Sequence, residues 1–428
     1  MPNFKVFNDE AQDLKTVVYG QYSGTPIPVA TDTNGILLTT AYDSTGQPIV
    51  MPLTAFKDMR VAGISPEIGW TFNYNINTDL IAVTTTGSGT VTQSNSKAVL
   101  QTTAAANSSA KIETKKALRY QPGMGALVRF TALFTSGMAN STQIIGIGDA
   151  NDGFFFGYNG TSFGILRRQN ATDFWIPQSA WNIDKFDGTG LSGITLDPTK
   201  GNVYVIQYQW LGFGAIRFFI ENPATGDLVP VHVLQYANAN TNPSVFNPTL
   251  PLMAQVRNTT NTTNIKLETP SAMGFVEGPA NNNAIVTRNS VAGSKTGVTT
   301  EQAIITIRNN STFQGKTNRT RIKLDYLSVA TDGTKSVTVR LVRNATLGGT
   351  PSFTDISTTT SVVSYDTAGT TLTGGTRVLT FEMAKVESIM ELLDPLDLYL
   401  DPGDTFTVSA TSSLSNDVDV ALSWRELW

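Results

Sequence analysis

The sequence feature that most constrains the fold is a dense run of β-branched and aromatic residues at positions 201–236. Gly212, Gly214, Pro223 and Pro230 interrupt this run, and each would weaken or break a helix that included it. The composition instead favours two strands bent at the glycine pair and, after a turn at 222–227, a third strand. We interpret this meander, called the spine below, as the hydrophobic spine of a large β-sandwich.

Strand and turn signals recur at short spacing along the chain, which at 428 residues is long enough for two or three domains. The spacing predicts an all-β protein of tandem β-sandwiches of jelly-roll type, with an N-terminal arm of short hairpins and extended chain. The predicted parts are an attachment arm at 1–66, a large, lectin-like sandwich at 67–278, a Gly/Asn-rich linker at 279–300 and a C-terminal sandwich at 301–428.

The N-terminal arm is poor in apolar residues and rich in turn signals. A hairpin signal, Asn34-Gly35, lies among prolines that suit edge strands and extended chain, such as Pro26 and Pro48. Because short hairpins cannot bury a core of their own, we expect residues 1–66 to lie along another domain or another protein.

The C-terminal sandwich shows the clearest strand alternation. Val418, Val420, Leu422 and Trp424 occupy every second position and are predicted to share one buried face. Ile322, Leu324 and Tyr326 form a similar alternating set. The one predicted helix is the segment FEMAKVESIMELL at 381–393.

Composition excludes several functional classes. Charged residues make up 15% of the chain and the net charge is −4, without the basic stripe of a nucleic-acid binder, so we expect no nucleic-acid partner. No apolar run reaches the length of a membrane span, and the polar N-terminus does not resemble a signal peptide, so we expect no membrane insertion and synthesis in a cytoplasm. The absence of cysteine and the single histidine, His232, exclude disulfides and leave almost no ligands for zinc or for a His-based triad.

Carboxylate clusters give only weak signals for chemistry. The segment at 149–153, DANDG, resembles part of a calcium loop, but it lacks the distal bidentate glutamate and is explained equally well by a turn between strands. Asp173, Asp184, Asp187 and Asp197 could supply the two acids of a glycoside hydrolase, yet they lie where aspartate is a common turn residue. We therefore expect no catalytic residues, no cofactor and no metal.

Aromatic residues in the loop at 173–187 form the one candidate binding site. Trp175 and Trp181, with Gln178, Asn182 and Asp184, combine stacking faces with hydrogen-bonding groups, a mixture that suits sugar binding. The structural alternative is that the tryptophans fill the sandwich core. We expect the core for Trp181 and leave both alternatives open for Trp175.

The segment from Ser179 into the spine resembles one that recurs in structural proteins of tailed bacteriophages and some large DNA viruses. The resemblance rests on a Trp-Asn-hydrophobic-Asp start, a Gly-rich loop and a Leu-Gly-Phe-Gly strand pair, which are Trp181, Asn182, Ile183, Asp184, Gly188, Gly190, Asp197, Leu211, Gly212, Phe213 and Gly214. It implies a virion component and carries no catalytic residues.

Together these observations predict a structural component of a virus particle that is assembled in the host cytoplasm. It would dock through its arm on capsid, collar or tail proteins and project its two sandwiches as a homo-oligomer, most simply a trimer. The alternative is a carbohydrate-binding adhesin or receptor-recognition protein of a fibre or a cell or spore surface, with a host glycan as partner. A polysaccharide-degrading enzyme, the third class, would need two carboxylates that face a cleft.

Overall fold

The protein is described by a computed structural model over residues 63–278 and 285–428, together with the backbone of strands β1 (Tyr19–Tyr22) and β2 (Thr25–Pro28). Contacts divide the chain into the units Met1–Val61 and Ala62–Trp428. In the first unit β1 and β2 pair as an antiparallel hairpin. The rest of the predicted arm, including the Asn34-Gly35 hairpin signal, lies outside the described residues.

The large sandwich consists of sixteen strands that follow one another with short turns. They are β3 (Ile64–Thr71), β4 (Ile81–Thr86), β5 (Thr90–Ser94), β6 (Lys97–Gln101), β7 (Ser109–Thr114), β8 (Gly125–Phe134), β9 (Ser141–Gly148), β10 (Gly153–Asn159), β11 (Ser162–Gln169), β12 (Thr172–Pro177), β13 (Asn202–Tyr208), β14 (Ile216–Glu221), β15 (Leu228–Leu234), β16 (Leu252–Asn258), β17 (Lys266–Thr269) and β18 (Ser271–Glu277).

These strands form two antiparallel sheets. A seven-stranded sheet has the order β12-β11-β10-β9-β16-β7-β4. A nine-stranded sheet has the order β15-β14-β13-β8-β17-β6-β5, with β18 and β3 joined beside β8. The spine supplies β13, β14 and β15, so its prediction as three strands is confirmed. Its glycine pair lies in the turn between β13 and β14, where Gly212 has a φ of 82° that favours glycine.

The core of the large sandwich lies between the two sheets and is rich in aromatic rings. Phe156 of the seven-stranded sheet contacts Tyr204 of the nine-stranded sheet with ring centroids 4.9 Å apart. Phe218 meets the same Phe156 ring edge-on at 5.5 Å. Since all three side chains are buried, this contact fixes how the two sheets face each other.

The C-terminal sandwich contains the remaining strands. They are β19 (Val286–Val298), β20 (Gln302–Asn309), β21 (Thr312–Phe313), β22 (Lys316–Thr317), β23 (Arg321–Gly333), β24 (Val337–Arg343), β25 (Thr346–Gly349), β26 (Thr354–Asp355), β27 (Val363–Asp366), β28 (Gly369–Thr373), β29 (Thr376–Met383), β30 (Glu387–Leu392), β31 (Tyr399–Leu400), β32 (Thr405–Ser412) and β33 (Asn416–Leu427).

A five-stranded sheet, β19-β33-β23-β30 with β31 beside β23, packs against a six-stranded sheet of order β26-β27-β20-β32-β24-β29. Val418, Val420, Leu422 and Trp424 on β33 all lie in this second core, as their alternation predicts. The prediction of an all-β protein with tandem β-sandwiches of jelly-roll type is thus confirmed. In the described part of the chain the helical segments are two short 3₁₀ turns, Gln178–Ala180 and Asp394–Leu396.

The predicted helix at 381–393 is wrong. Its first part belongs to β29, which pairs with β24, and its second part forms β30, which pairs with β23. Val386, with a φ of 49°, lies in the turn where the chain passes from one sheet to the other. Pairing with strands distant in the sequence therefore overrides the local helix propensity of this segment.

Two further details differ from the sequence analysis. The second half of the predicted linker at 279–300 forms the long strand β19, which pairs along β33. A β-bulge between Leu324 and Tyr326 shifts the alternation on β23, so that Leu327 is buried and Tyr326 is exposed. No position in the described residues lies in a helix long and apolar enough to cross a membrane.

Charged side chains join the two sandwiches. Arg319 of the C-terminal sandwich contacts Asp149 at 2.7 Å and Glu113 at 3.2 Å, and both acids belong to the large sandwich. Arg119 donates to the main-chain carbonyl oxygens of Trp428 and Ile285 at 2.7 and 2.6 Å. The second sandwich therefore lies against one end of the seven-stranded sheet.

Candidate functional site

The seven-stranded sheet has one face in the core and one face directed outward. Phe155, between the core residues Phe154 and Phe156, points to the outer face, and Ile144, Leu166 and Met253 join it there from neighbouring strands. All four side chains are buried, although they lie outside the main core. An apolar cluster on the outer face of a sheet is unusual, because this face would otherwise carry polar side chains.

Trp175 packs against this outer apolar cluster. It lies on the edge strand β12, directly opposite Leu166 of β11, and it remains partly exposed to solvent. Its indole therefore has one side against apolar groups and another side toward water, as an aromatic side chain needs for stacking on a ligand.

A groove runs beside Trp175 on this face and is called the outer groove below. It consists of two adjoining cavities of about 300 Å³ each, which share Arg168, Asp173, Gln255 and Arg257. The first cavity is also lined by Asn140, Ser141, Thr142, Ile144, Asn159, Gly160, Trp175 and Thr259, and the second by Lys111, Ala150, Ala171 and Met253.

Glycines leave the middle of the outer face without side chains. Gly157 and Gly164 lie directly opposite each other on β10 and β11, and the residues that flank each of them point into the core. A Cβ atom at Gly157 would collide with the carbonyl oxygen of Gln143, and one at Gly164 with that of Ile176. Only glycine permits this close approach of the strands, and the groove stays open as a result.

The charged groups of the outer groove are fixed by ion pairs, with one exception. Arg168 holds Asp173 in a bidentate contact of 2.6 and 3.2 Å and donates a third hydrogen bond to the carbonyl oxygen of Asp149. Lys111 contacts Glu113 at 2.8 Å. Arg257 is exposed, and within the described residues it has no ion pair or hydrogen bond through its side chain. Its guanidinium is therefore available to a ligand.

The DANDG segment at 149–153 closes one end of the outer groove as a structural turn. Burial acts to raise the pKa of the Asp149 carboxyl, but hydrogen bonds from Arg319 and from the main-chain N–H groups of Asp152 and Asn151 outweigh it and lower that pKa. The Asp152 carboxylate accepts main-chain hydrogen bonds from Asn170 and Phe246. These hydrogen bonds hold both carboxylates within the turn.

The five residues predicted from the sequence separate into two groups. Trp175 lines the outer groove, whereas Trp181, six residues later in the chain, is 2% exposed and lies in the main core. The Trp181 ring meets Phe156 and Phe163 edge-on at 6.0 and 6.3 Å. The expectation of a core position for Trp181 agrees with this placement, and no ring face is left for a ligand.

Gln178, Asn182 and Asp184 hold the loop that follows β12. Gln178 donates to the carbonyl oxygens of Lys185 and Phe186, at 2.8 and 3.0 Å. Asn182 exchanges two hydrogen bonds with the main chain of Val233 at 2.9 Å. Asp184 is buried and accepts main-chain hydrogen bonds from Phe186 and Ser192, so these three side chains serve the loop itself.

Of the four candidate carboxylates for glycoside hydrolysis, Asp173 is the one that lines the outer groove. Asp187 and Asp197 lie in exposed turns, where hydrogen bonds from Thr189 and Thr199 lower their pKa. A general acid needs a raised pKa and a second carboxylate across the cleft. The four candidates are therefore not brought together as a catalytic pair.

Sequence reasoning missed the polar residues that complete the groove. Arg168, Gln255, Arg257 and Lys111 come from β11, β16 and β7, which are distant in the sequence and meet only through sheet pairing. The sequence signal that could have pointed to these residues is the alternation on β16, where Met253, Gln255 and Arg257 take every second position and so share one face. One strand alone does not show its register against β9, and this register decides which residues meet in the groove.

Comparison with known proteins gives likenesses in structure but not in sequence. Neither protein-family models nor curated proteins match the chain. Among solved structures, the cellulose-induced protein Cip1 is 16% identical and matches 49% of this chain and 96% of its own, with a TM-score of 0.31.

Two further solved structures show the same level of likeness. A glycosyl hydrolase family protein from Mycobacterium fortuitum (9% identity, 49% of this chain, 99% of its own, TM-score 0.35) and peanut lectin (13% identity, 49% and 97%, TM-score 0.31) also match. Likenesses at these scores carry no inference about function.

Proposed function

We propose that the large sandwich binds an oligosaccharide in the outer groove. The observation that carries this proposal is the placement of Trp175, a half-buried indole over an apolar cluster, in the lining of one cavity with Gln255 and Arg257. The apolar face of a sugar ring packs on an aromatic ring, while its hydroxyl groups need fixed donors and acceptors at the rim. The groove offers both kinds of contact on rigid strands.

The shape of the groove suits a chain of sugars better than a small cofactor. Its two cavities adjoin along the sheet, and neither is enclosed. Asn140, Thr142 and Asn159 supply hydrogen-bonding side chains along one side. Because the one lining carboxylate, Asp173, is held by Arg168, the groove is suited to binding and carries no acid pair for hydrolysis.

Two larger cavities in the described residues fit a ligand less well. One of about 610 Å³ lies on the C-terminal sandwich, where Arg425 contacts Asp325 at 2.6 Å, so its charges are mutually paired. Another of about 500 Å³ lies beside Tyr74, whose ring is 93% exposed. The tryptophans that line them, Trp424 and Trp70, are buried in the two cores, and the tyrosines, Tyr326 and Tyr74, are exposed without packing on a core.

A glycan array tests the proposal. We expect the full-length protein to bind a subset of oligosaccharides, and Trp175→Ala to weaken that binding by at least about tenfold, equivalent to about 1.4 kcal/mol. Tyr74→Ala is the matched control, since it removes an exposed aromatic ring outside the groove and should leave binding unchanged. Binding that is lost in Tyr74→Ala but kept in Trp175→Ala would contradict the proposal, as would silence of the whole array.

The placement of the protein on a virus particle stays a proposal that rests on the sequence resemblance. A glycan-binding groove is compatible with receptor recognition by such a particle and equally with an adhesin on a cell or spore surface. The origin of the protein and its attachment partner are therefore tested separately, through residues 1–66.

A further inference from the structure

The lining of the outer groove is positively charged, although the whole protein is negative. Lys111, Arg168 and Arg257 line the two cavities, against the single acid Asp173. The net charge of the chain is −4. A local excess of cationic side chains on an acidic protein favours the binding of anionic ligands in the groove.

The ion pairs of the groove balance two of these three cations. Arg168 is neutralised by Asp173 at 2.6 Å, and Lys111 by Glu113 at 2.8 Å. Glu113 also contacts Arg319 at 3.2 Å, and the charge of Arg319 is balanced by its second partner, Asp149, at 2.7 Å. Arg257 is thus the cation whose charge no described carboxylate compensates.

The position of Arg257 places it on the same outward row as other groove residues. On β16 it follows Gln255 by two positions, and in the sheet it lies opposite Thr142 of β9. Both neighbours are hydrogen-bonding side chains that also line the first cavity, together with Trp175. An anionic oligosaccharide that fills this cavity would therefore meet a guanidinium, an amide and an aromatic ring.

We propose that the ligand of the outer groove is an acidic oligosaccharide, with a sugar carboxylate paired to Arg257 and a sugar ring packed on Trp175. This inference rests on the proposed function and specifies its substrate class. A guanidinium can donate two parallel N–H hydrogen bonds to the two oxygens of a carboxylate. This pairing orients the carboxylate in addition to attracting its charge. Two adjoining cavities hold more than one sugar, so the ligand is a chain.

Matched pairs of oligosaccharides that differ only in charge test the inference. Oligogalacturonate and its fully methyl-esterified form are titrated into the full-length protein, with sialyllactose against its methyl ester as a second pair. We expect the acid of at least one pair to bind about tenfold or more tighter than its neutral partner, and the difference to shrink as salt is raised. Equal affinity within both pairs, or tighter binding of the neutral forms, would overturn the inference but leave the proposed function intact.

Two variants show which residue causes the preference for the acidic oligosaccharide. Arg257→Gln should remove the preference for the acid while the affinity for the neutral partner stays the same, whereas Trp175→Ala should weaken both. Arg217→Gln is the control, because Arg217 is also an exposed arginine but lies on β14 of the other sheet. An unchanged acid preference in Arg257→Gln would overturn the assignment of this residue.

A sulfated oligosaccharide and its desulfated form make a third arm that distinguishes the source of the negative charge. Tighter binding of the sulfated chain than of any carboxylated one would overturn the assignment to a sugar carboxylate. Failure of every glycan, charged or neutral, would instead overturn the proposed function itself.

Discussion

At the scale of single residues, the two tryptophans of the β12 region show how one strand and its loop serve two faces of a sheet. Trp175 lies on the outer face and Trp181 lies in the core, although only the end of β12 and a 3₁₀ turn separate them. The same residue type therefore packs in the core on one side and, in our proposal, contacts the ligand on the other.

This difference predicts losses of stability of different size on substitution. Trp181→Ala should reduce the free energy of unfolding by about 3–5 kcal/mol and lower the melting temperature of the large sandwich by on the order of 10 °C, because it leaves a cavity among packed rings. Trp175→Ala should reduce the free energy of unfolding by clearly less, since part of the Trp175 ring is already in solvent. Calorimetric melting of both variants checks this, and an equal loss of stability would show that Trp175 is a core residue.

The single histidine predicts a pH dependence of stability. His232 accepts a hydrogen bond from the main-chain N–H of Asn182 through Nδ1 at 3.2 Å, and its Nε2 is buried without a partner in the described structure. Burial lowers the pKa of His232 below its ordinary value of 6.5. The unfolded chain then binds more protons, so the stability is complete above pH of about 6.5 and decreases as the pH falls below it.

Urea unfolding at pH 7.5 and 5.5 measures this effect. Both values lie above the ordinary pKa range of aspartate and glutamate, so carboxylates contribute little to the change. The wild-type protein should lose stability at pH 5.5, while His232→Gln should lose less. An equal loss in both proteins would show that folding does not change the pKa of His232.

At the scale of elements, sheet register decides what the sequence alone could predict. Alternation within one strand predicted the buried face of β33, and dense β-branched and aromatic residues predicted the spine. The sequence alone could not show that the segment at 381–393 forms parts of β29 and β30 instead of a helix, because their partner strands β24 and β23 lie far away in the sequence. Trp175 could be found from the composition of its own loop. Arg257 and Gln255 could not, because they reach the groove only through sheet pairing.

The contact between the two sandwiches gives a prediction at this scale. Arg319 is the shared partner of Asp149 and Glu113, two carboxylates with side chains 9% and 13% exposed. Arg319→Ala would leave them without this cation, and we expect a loss on the order of 3 kcal/mol in urea unfolding. Arg340→Ala is the control, since its pair with Glu301 is more exposed and should be worth less than about 1 kcal/mol. Similar losses in the two variants would show that the contact of the sandwiches does not depend on Arg319.

At the scale of the whole molecule, the proposed function needs an attachment site as well as the glycan-binding groove. Residues 1–66 are predicted to be the attachment arm, and they lie almost entirely outside the described residues. We expect a 67–428 fragment to fold without joining its particle or surface, because the arm is too poor in apolar residues to complete a core. Normal incorporation of the shortened protein at full copy number would contradict this role.

Homo-oligomerisation, most simply as a trimer, likewise stays a prediction. The scarcity of charged residues leaves broad neutral surfaces that can pack together at little desolvation cost. Light scattering of the purified full-length protein at micromolar concentration checks it, and a monomer of 46.0 kDa would contradict it.

The most direct test of glycan binding in the outer groove is a crystal structure of the full-length protein with the strongest oligosaccharide from the array. We predict electron density for at least one sugar ring packed on the indole of Trp175, within hydrogen-bonding distance of Gln255 or Arg257. Density for the sugar beside Tyr74 or on the C-terminal sandwich, with the outer groove empty, would contradict the proposal.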